Sequence, residues 1–360
     1  MKNNKFLIIL VVLVLVIGGA FLFKRKDDNS KNIDNSLKNT NFISIATKSN
    51  DKIYALTNNG DEIELFDISE YNGGVVYTYS AGKLYLYLYK YTKGEADVNT
   101  GKTIQEVFDY NILGYIDLKN DNYSFTKLTD VDVKGSPSSI AVVNNDIYFT
   151  SSAFDGIYKY NIDSKNLSIS KDFNLDDKKG INLYTISNGK IGYSTAGITN
   201  VSPTVGIVDI KSHTKKEISS NANFEYVYNG NIIYTQYEDI NNFSKWKYYE
   251  YNVSSKSKKQ ISDSTSSYTS IYNSFIIPVD NYYIYVNGNS LYKYVDNQSQ
   301  KIYEFNGEIS SISLNSSKTL NIVYGDDMYT DSKYGVFDVS ESKFNDIQEK
   351  NSYSQVIYLP

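Results

Sequence analysis

The chain contains no cysteine, one histidine, one tryptophan and only four prolines in 360 residues. Without cysteine there are no disulfides, thiol nucleophiles, iron–sulfur clusters or cysteine zinc sites, and no lipidated N-terminal cysteine. A single histidine excludes two-histidine metal sites and the HExxH zinc motif. His213 sits in the polar run Lys-Ser-His-Thr-Lys-Lys-Glu and reads as a solvated turn residue. No nucleophile elbow, P-loop or dinucleotide fingerprint is present. Beyond residue 26 there is no window with helical periodicity.

An excess of basic charge is also missing. The chain carries 36 basic and 41 acidic residues, for a net charge of −5. Five of the basic residues, Lys2, Lys5, Lys24, Arg25 and Lys26, flank one apolar run; without them the balance is 31 against 41, or −10. No basic stripe is expected on the folded part, so nucleic acid, teichoic acid and anionic lipid are not expected as its partners.

What is abundant is tyrosine, with 36 copies beside 16 phenylalanines. Tyrosine favours strands and buries a ring while keeping its hydroxyl near water. A chain of this length buries roughly 75% of its unfolded surface, enough for a core without staples.

Residues 6–23 (FLIILVVLVLVIGGAFLF) form an uncharged run of 18. As a helix it is about 27 Å long, close to the ~30 Å hydrocarbon core of a bilayer. Gly18-Gly19-Ala20 offers a small-residue cleavage site, but the run continues through Phe21-Leu22-Phe23 into Lys24-Arg25-Lys26. The pattern therefore favours an uncleaved transmembrane signal anchor over a cleaved signal peptide. A short N-terminal tail, residues 1–5, places the tail in the cytoplasm and the rest of the chain outside. The Asn/Ser/Tyr-rich composition resembles exported proteins of low-GC Gram-positive bacteria and implies the same orientation. Residues 24–40 are polar and read as a flexible stalk, with about 20–25 Å of reach.

From residue 41 to residue 360 the chain repeats. A strand ends in an apolar residue, then Asp or Asn, then Ile, Leu or Val, and a polar turn follows. The pattern occurs at Asp67, Asp117, Asn161, Asp209, Asn252 and Asp338. A copy at Tyr294-Val295-Asp296 is displaced by one residue. At the end of a third strand, the Asp or Asn side chain can bond the backbone of the turn, a structural rather than catalytic role. Asn188-Gly189 and Asn229-Gly230 are tight-hairpin dipeptides. A four-stranded unit of about 44 residues matches a β-propeller blade. The predicted fold is an all-β, seven-bladed β-propeller; six or eight blades are the alternatives. The first blade is one strand short, and the final segment (SQVIYL) is predicted to complete it and close the ring. The run Leu84-Tyr85-Leu86-Tyr87-Leu88-Tyr89 fits a sheet covered on both faces, with its tyrosines read as core.

The strand patterns of Asp146-Ile147-Tyr148-Phe149-Thr150 and of residues 156–162 carry a resemblance to TolB-type and related bacterial surface propellers. Lys216-Glu217-Ile218-Ser219 and Lys259-Gln260-Ile261-Ser262 add the strand ending. The Ser-Pro-Asp-Gly turn common in that family is missing. The resemblance implies binding or scaffolding at the envelope, and no particular chemistry.

Loop length suggests where recognition sits. Second-to-third-strand connections are expected to be long at 93–103, 196–204, 237–245 and 326–333. Long loops on a rigid scaffold usually carry recognition. Tyr237, Glu238 and Asp239 with Phe243 and Trp246 offer aromatic anchors beside carboxylates. Asp326, Asp327 and Tyr329 gather more acid with Asp331, but without the spacing of a calcium loop. No metal, cofactor or catalytic residue is expected. The sequence therefore predicts a binding or scaffold module for an envelope protein or glycan, and not an enzyme. A carbohydrate-active hydrolase or lyase, with carboxylates drawn from distant blades, is the runner-up. A sensor paired with a membrane protein is a third reading.

Overall fold

In the computed structural model the described residues lie within one unit, Asn41–Pro360. They are residues 42–359 without 49–50, 72–73, 94–105, 121, 134, 153–155, 174–179, 187–188, 196–201, 240–241, 264, 266–274, 280, 326–331 and 348–352. The predicted tail, anchor and stalk lie outside them. Among the described residues no helix is long and apolar enough to cross a membrane.

Seven antiparallel sheets of four strands follow one another, each a blade of a seven-bladed propeller. Blades 2 to 7 take consecutive strands within 74–130, 137–169, 181–220, 222–260, 276–304 and 308–347. Blade 1 is built from both ends of the unit: Tyr353–Tyr358 pairs with Phe42–Lys48, then come Lys52–Thr57 and Glu62–Asp67. The C-terminal segment thus supplies the inner strand that the sequence lacked, through Ser44↔Tyr358, Ile45↔Ile357 and Thr47↔Ser354.

Blade-to-blade packing runs around the whole ring. Ile45, Ile53 and Leu65 of blade 1 meet Leu84, Leu86 and Leu88 of blade 2. On the other face of that same strand, Tyr85 and Tyr87 pack with Ile140, Val142 and Phe149 of blade 3. Tyr148 and Ala141 meet Leu183 and Tyr193 across blades 3 and 4, and Val205 and Ile207 meet Ile232 and Tyr234 across blades 4 and 5. A single cluster then joins blades 5, 6, 7 and 1, from Tyr226 and Ile233 through Tyr285 and Phe337 to Tyr358. Alternating Leu and Tyr suits this because both faces of every blade are dry. Each fully buried Leu contributes about 1.5–3 kcal/mol. Inner-strand side chains of non-adjacent blades also touch one another. Thr78 Oγ1 donates to Thr185 Oγ1 at 2.8 Å, and the rings of Tyr226 and Tyr358 meet edge-on at 4.7 Å.

The repeated Asp/Asn does what its position predicts. The Ser69 N–H donates to Asp67, the Lys119 N–H to Asp117, the Ser164 N–H to Asn161 and the Ser212 N–H to Asp209. Ser255 donates to Asn252, and Ser340 and Glu341 donate to Asp338. Two departures have clear causes. Asp67 ends an outer strand rather than a third one, because the C-terminal strand takes the inner place and shifts blade 1 by one position. In blade 6 the turn is a two-residue hairpin, Val295↔Gln298, with Asp296 and Asn297 both at positive φ (51° and 62°). That turn rests on backbone geometry, which accounts for the displaced copy.

The third-strand motif has a second use. In blades 3 and 6 its tyrosine reaches back to the outer strand of the preceding blade: Tyr160 Oη donates to the Leu128 carbonyl at 3.4 Å, and Tyr294 Oη to the Gln260 carbonyl at 2.8 Å. In blade 5, Tyr251 Oη accepts from Lys216 Nζ of blade 4 at 2.6 Å.

Candidate functional site

In each blade the second-to-third-strand connection shares a face of the ring with the link to the next blade. Blade 6 turns back there within two residues, at Asn287↔Ser290. Blades 2 and 5 do not. In blade 2 the inner strand stops pairing at Gly74↔Tyr89 and the outer strand at Ile112↔Asp130, yet the middle strands stay paired out to Lys93↔Glu106. At ~3.3 Å per residue, these four extra positions project about 13 Å. In blade 5 the middle pair runs on to Asp239↔Asn242, past the last inner rung at Ala222↔Gln236. Residues 237–239 and 242–245 are therefore the paired ends of a hairpin rather than a loop.

The blade 5 candidates separate by depth. Asp239 and Glu238 are exposed near the tip, with Glu238 Oε1 at 3.2 Å from Lys247 Nζ. Such an exposed pair contributes little. Below them Tyr237 is half-buried, its Oη accepting from Asn223 Nδ2 at 2.7 Å. Trp246 corrects the expectation of an exposed anchor: it is 8% exposed and belongs to the core shared by blades 5, 6, 7 and 1. Its ring lies edge-on to Tyr237 at 6.5 Å, and its backbone exchanges both hydrogen bonds with Thr265 in the link to blade 6. Thr265 thus pairs directly beside the indole. Phe243 lies on the returning strand, with its side chain outside the described residues. Asp326, Asp327 and Tyr329 are outside them entirely.

The sequence reading missed Glu225. The inner strand of blade 5, Ala222–Tyr228, bulges between Phe224↔Tyr234 and Tyr226↔Ile233, so that Glu225 is the extra residue. Bulges re-aim side chains at sheet rims. The Glu225 carboxylate accepts a hydrogen bond from Thr235 Oγ1. Tyrosines from three blades feel its charge. Burial pushes the Tyr184 phenol up to about 12, with Glu225 adding to the shift. Tyr237 of blade 5 and Tyr358 of blade 1 are raised by burial first and by Glu225 second. Blades 3 and 7 bulge at the corresponding place, where Ser138 and Ser310 stand. The available signal was a carboxylate inside an otherwise apolar strand, ANFEYVY. Asn223, Glu225, Thr235 and Tyr237 thus give the inner rim of blade 5 a set of acceptors and donors beside aromatic edges. Among the described residues no group of three His, Asp or Glu side chains is placed to hold a metal ion.

No family model matches the sequence, and neither does any curated protein. Solved structures do match. A prolyl endopeptidase aligns with a TM-score of 0.50 and 12% identity over 89% of this chain and 51% of its own. The Niastella koreensis GH74 enzyme aligns with a TM-score of 0.50 and 13% identity over 85% and 53%. The Porphyromonas gingivalis dipeptidyl peptidase 4 gives 0.47 and 10% over 88% and 61%. The chain thus spans about half the length of the first two and three-fifths of the third. At these identities the likeness is one of fold. The TolB-type resemblance rests on the blade motif alone. The expectation that the chain is not an enzyme does not stand: solved structures that share its fold include a prolyl endopeptidase and a glycoside hydrolase. The chain is a seven-bladed β-propeller that shares its fold with propellers of hydrolytic enzymes.

Proposed function

We propose that the propeller is a recognition module held outside the cell by residues 6–23, and that it takes an envelope protein or glycan on the face carrying the two extended hairpins. The observation that supports this most is the asymmetry of that face. Blades 2 and 5 extend their middle strands beyond the sheet, whereas blade 6 turns within two residues. A stable sheet does not need the extra rungs. They place Glu238 and Asp239 above the Glu225 rim, where a bound chain meets carboxylates, amides and phenols.

Residues 41–360, immobilised, should retain a specific glycan or envelope protein. Shortening the blade 5 hairpin to a two-residue turn after Gln236 should reduce retention at least about tenfold, the ~1.4 kcal/mol of one or two lost hydrogen bonds. Unchanged retention would refute the assignment of the face. A second reading is hydrolysis of the bound polymer, favoured by Glu225 standing among phenols on the blade whose hairpin carries Glu238 and Asp239. It requires turnover that Glu225→Gln abolishes.

A further inference from the structure

The outer strands of the blades occupy equivalent positions, but their charges differ. In blade 1 the outer strand is acidic, with Glu62, Glu64 and Asp67. In blades 2, 6 and 7 it is mixed: Lys127 with Asp130, Lys301 with Glu304, and Lys343 with Asp346. In blade 3 it carries no charge. In blades 4 and 5 the outer strand and the turn before it read Lys-Ser-His-Thr-Lys-Lys-Glu (211–217) and Ser-Ser-Lys-Ser-Lys-Lys-Gln (254–260), with six lysines against one carboxylate. Lys211, Lys215, Lys216, Lys256, Lys258 and Lys259 are all exposed.

Several lysines elsewhere are paired with carboxylates, as Lys48 is with Glu62, Lys52 with Glu64, Lys159 with Asp146 and Lys301 with Glu304. Among the described residues none of the six rim lysines has a carboxylate partner. Four are instead held over tyrosine rings, two within the blade and two across the boundary. Lys215 lies over Tyr193 at 5.3 Å and Lys258 over Tyr249 at 4.0 Å; Lys216 of blade 4 lies over Tyr251 of blade 5, and Lys259 of blade 5 over Tyr294 of blade 6. The rings fix the ammonium groups on the rim and leave their charge uncancelled. Averaging over a net-acidic body concealed this patch. The propeller repeat brings together two lysine runs about 44 residues apart.

We infer that the outer rim of blades 4 and 5 docks against an anionic lipid bilayer, laying the propeller side-on to the membrane. The inference rests on the proposed anchorage: a polar stalk with about 20–25 Å of reach keeps the body near the bilayer. There, several lysines acting together bind anionic headgroups without any inserted apolar group. Side-on docking leaves both faces of the ring, including the hairpin face, open to a partner.

The test uses residues 41–360, whose ring closes within itself, and sedimentation with phosphatidylcholine vesicles with or without phosphatidylglycerol. The expected result is partitioning onto the anionic vesicles at least about tenfold above the neutral ones, weakening as salt is raised. Changing all six lysines to Gln should abolish it, and changing all six to Arg should preserve it. Equal partitioning on both vesicles, full binding by the six-Gln variant, or binding to soluble polyphosphate without binding to vesicles would each overturn the inference. Anchorage is read separately. A full-length chain that stays with membranes in high salt, while the body ignores anionic vesicles, refutes only the docking surface. Salt-released full-length chain with a vesicle-binding body refutes only the anchor.

Discussion

Blades 5 and 6 are neighbours built to one plan, and they differ wherever the plan leaves the chain free. Both place four antiparallel strands in the same order and share one core, in which Ile233 and Tyr248 of blade 5 meet Ile284 and Tyr285 of blade 6. In both, a third-strand aromatic stacks on a second-strand tyrosine: Tyr249 on Tyr234 at 5.6 Å, and Tyr292 on Tyr285 at 5.2 Å. Blade 6 stops there, with two-residue turns at both ends. Blade 5 adds a bulge that turns out Glu225, a hairpin that outruns its sheet, and a lysine-bearing outer strand. Interior packing dictates the common part. The additions lie at the rim, where stability is indifferent and binding is decided.

The largest effect should come from the common part. Removing residues 351–360 takes the inner strand from blade 1 and exposes cores on both sides. Loss of the Tyr358 and Leu359 contacts alone amounts to several kcal/mol. At about 2–4 °C per kcal/mol, the melting temperature should fall by at least about 10 °C. Trimming the blade 5 hairpin should leave it within about 2 °C, because surface changes away from the core cost little; both are read by thermal melts followed by circular dichroism.

Next comes Gly335→Ala. In blades 2, 4 and 7 the stacked third-strand aromatic is replaced by Gly114, Gly206 and Gly335, and another ring fills the space, Phe344 in the case of Gly335. A methyl group there collides with Phe344 and with the Asn345 carbonyl, so we expect about 1–3 kcal/mol of destabilisation in denaturant titration. Tyr294→Phe removes an inter-blade hydrogen bond and should cost about 0.5–1.5 kcal/mol.

The turn acids give the smallest effects. The Asp338 carboxyl is held below its ordinary 3.8 by the Ser340 hydroxyl and the Glu341 N–H. A lowered native value means that its contribution is complete above the unfolded value and is lost as pH falls through the native one. Asp338→Ala should therefore cost about 1 kcal/mol at neutral pH and progressively less below about pH 4. Asp296→Asn, in the backbone-defined turn of blade 6, should lie within about 0.5 kcal/mol of the parent at any pH.

These contrasts mark what a sequence can disclose. The repeat, the turn-capping Asp and Asn, the two-faced Leu84–Tyr89 strand and the closing strand were legible because each is a local pattern tied to one backbone requirement. Tyr237, Glu238 and Asp239 were read as part of a loop although they continue a strand, since polar residues near a turn look alike whether or not the strands continue. Trp246 looked available because one strand does not reveal the neighbouring blades whose core it joins. Glu225 was passed over because a bulge is a mismatch between two strands: the lone carboxylate of ANFEYVY is visible in the sequence, but the bulge that re-aims it is not. The lysine rim was invisible because net charge has no geometry; only the ring brings Lys216 beside Tyr251.

Closure of the ring underlies both the shared hairpin face and the lysine rim, and the absence of native cysteine makes it directly measurable. Thr47 and Ser354 are Cα partners across the seam. In a Thr47→Cys, Ser354→Cys variant, mild oxidation should consume both thiols within a single chain and raise the melting temperature. Two thiols that remain titratable, with an unchanged melt, would show that the C-terminal strand does not sit inside blade 1.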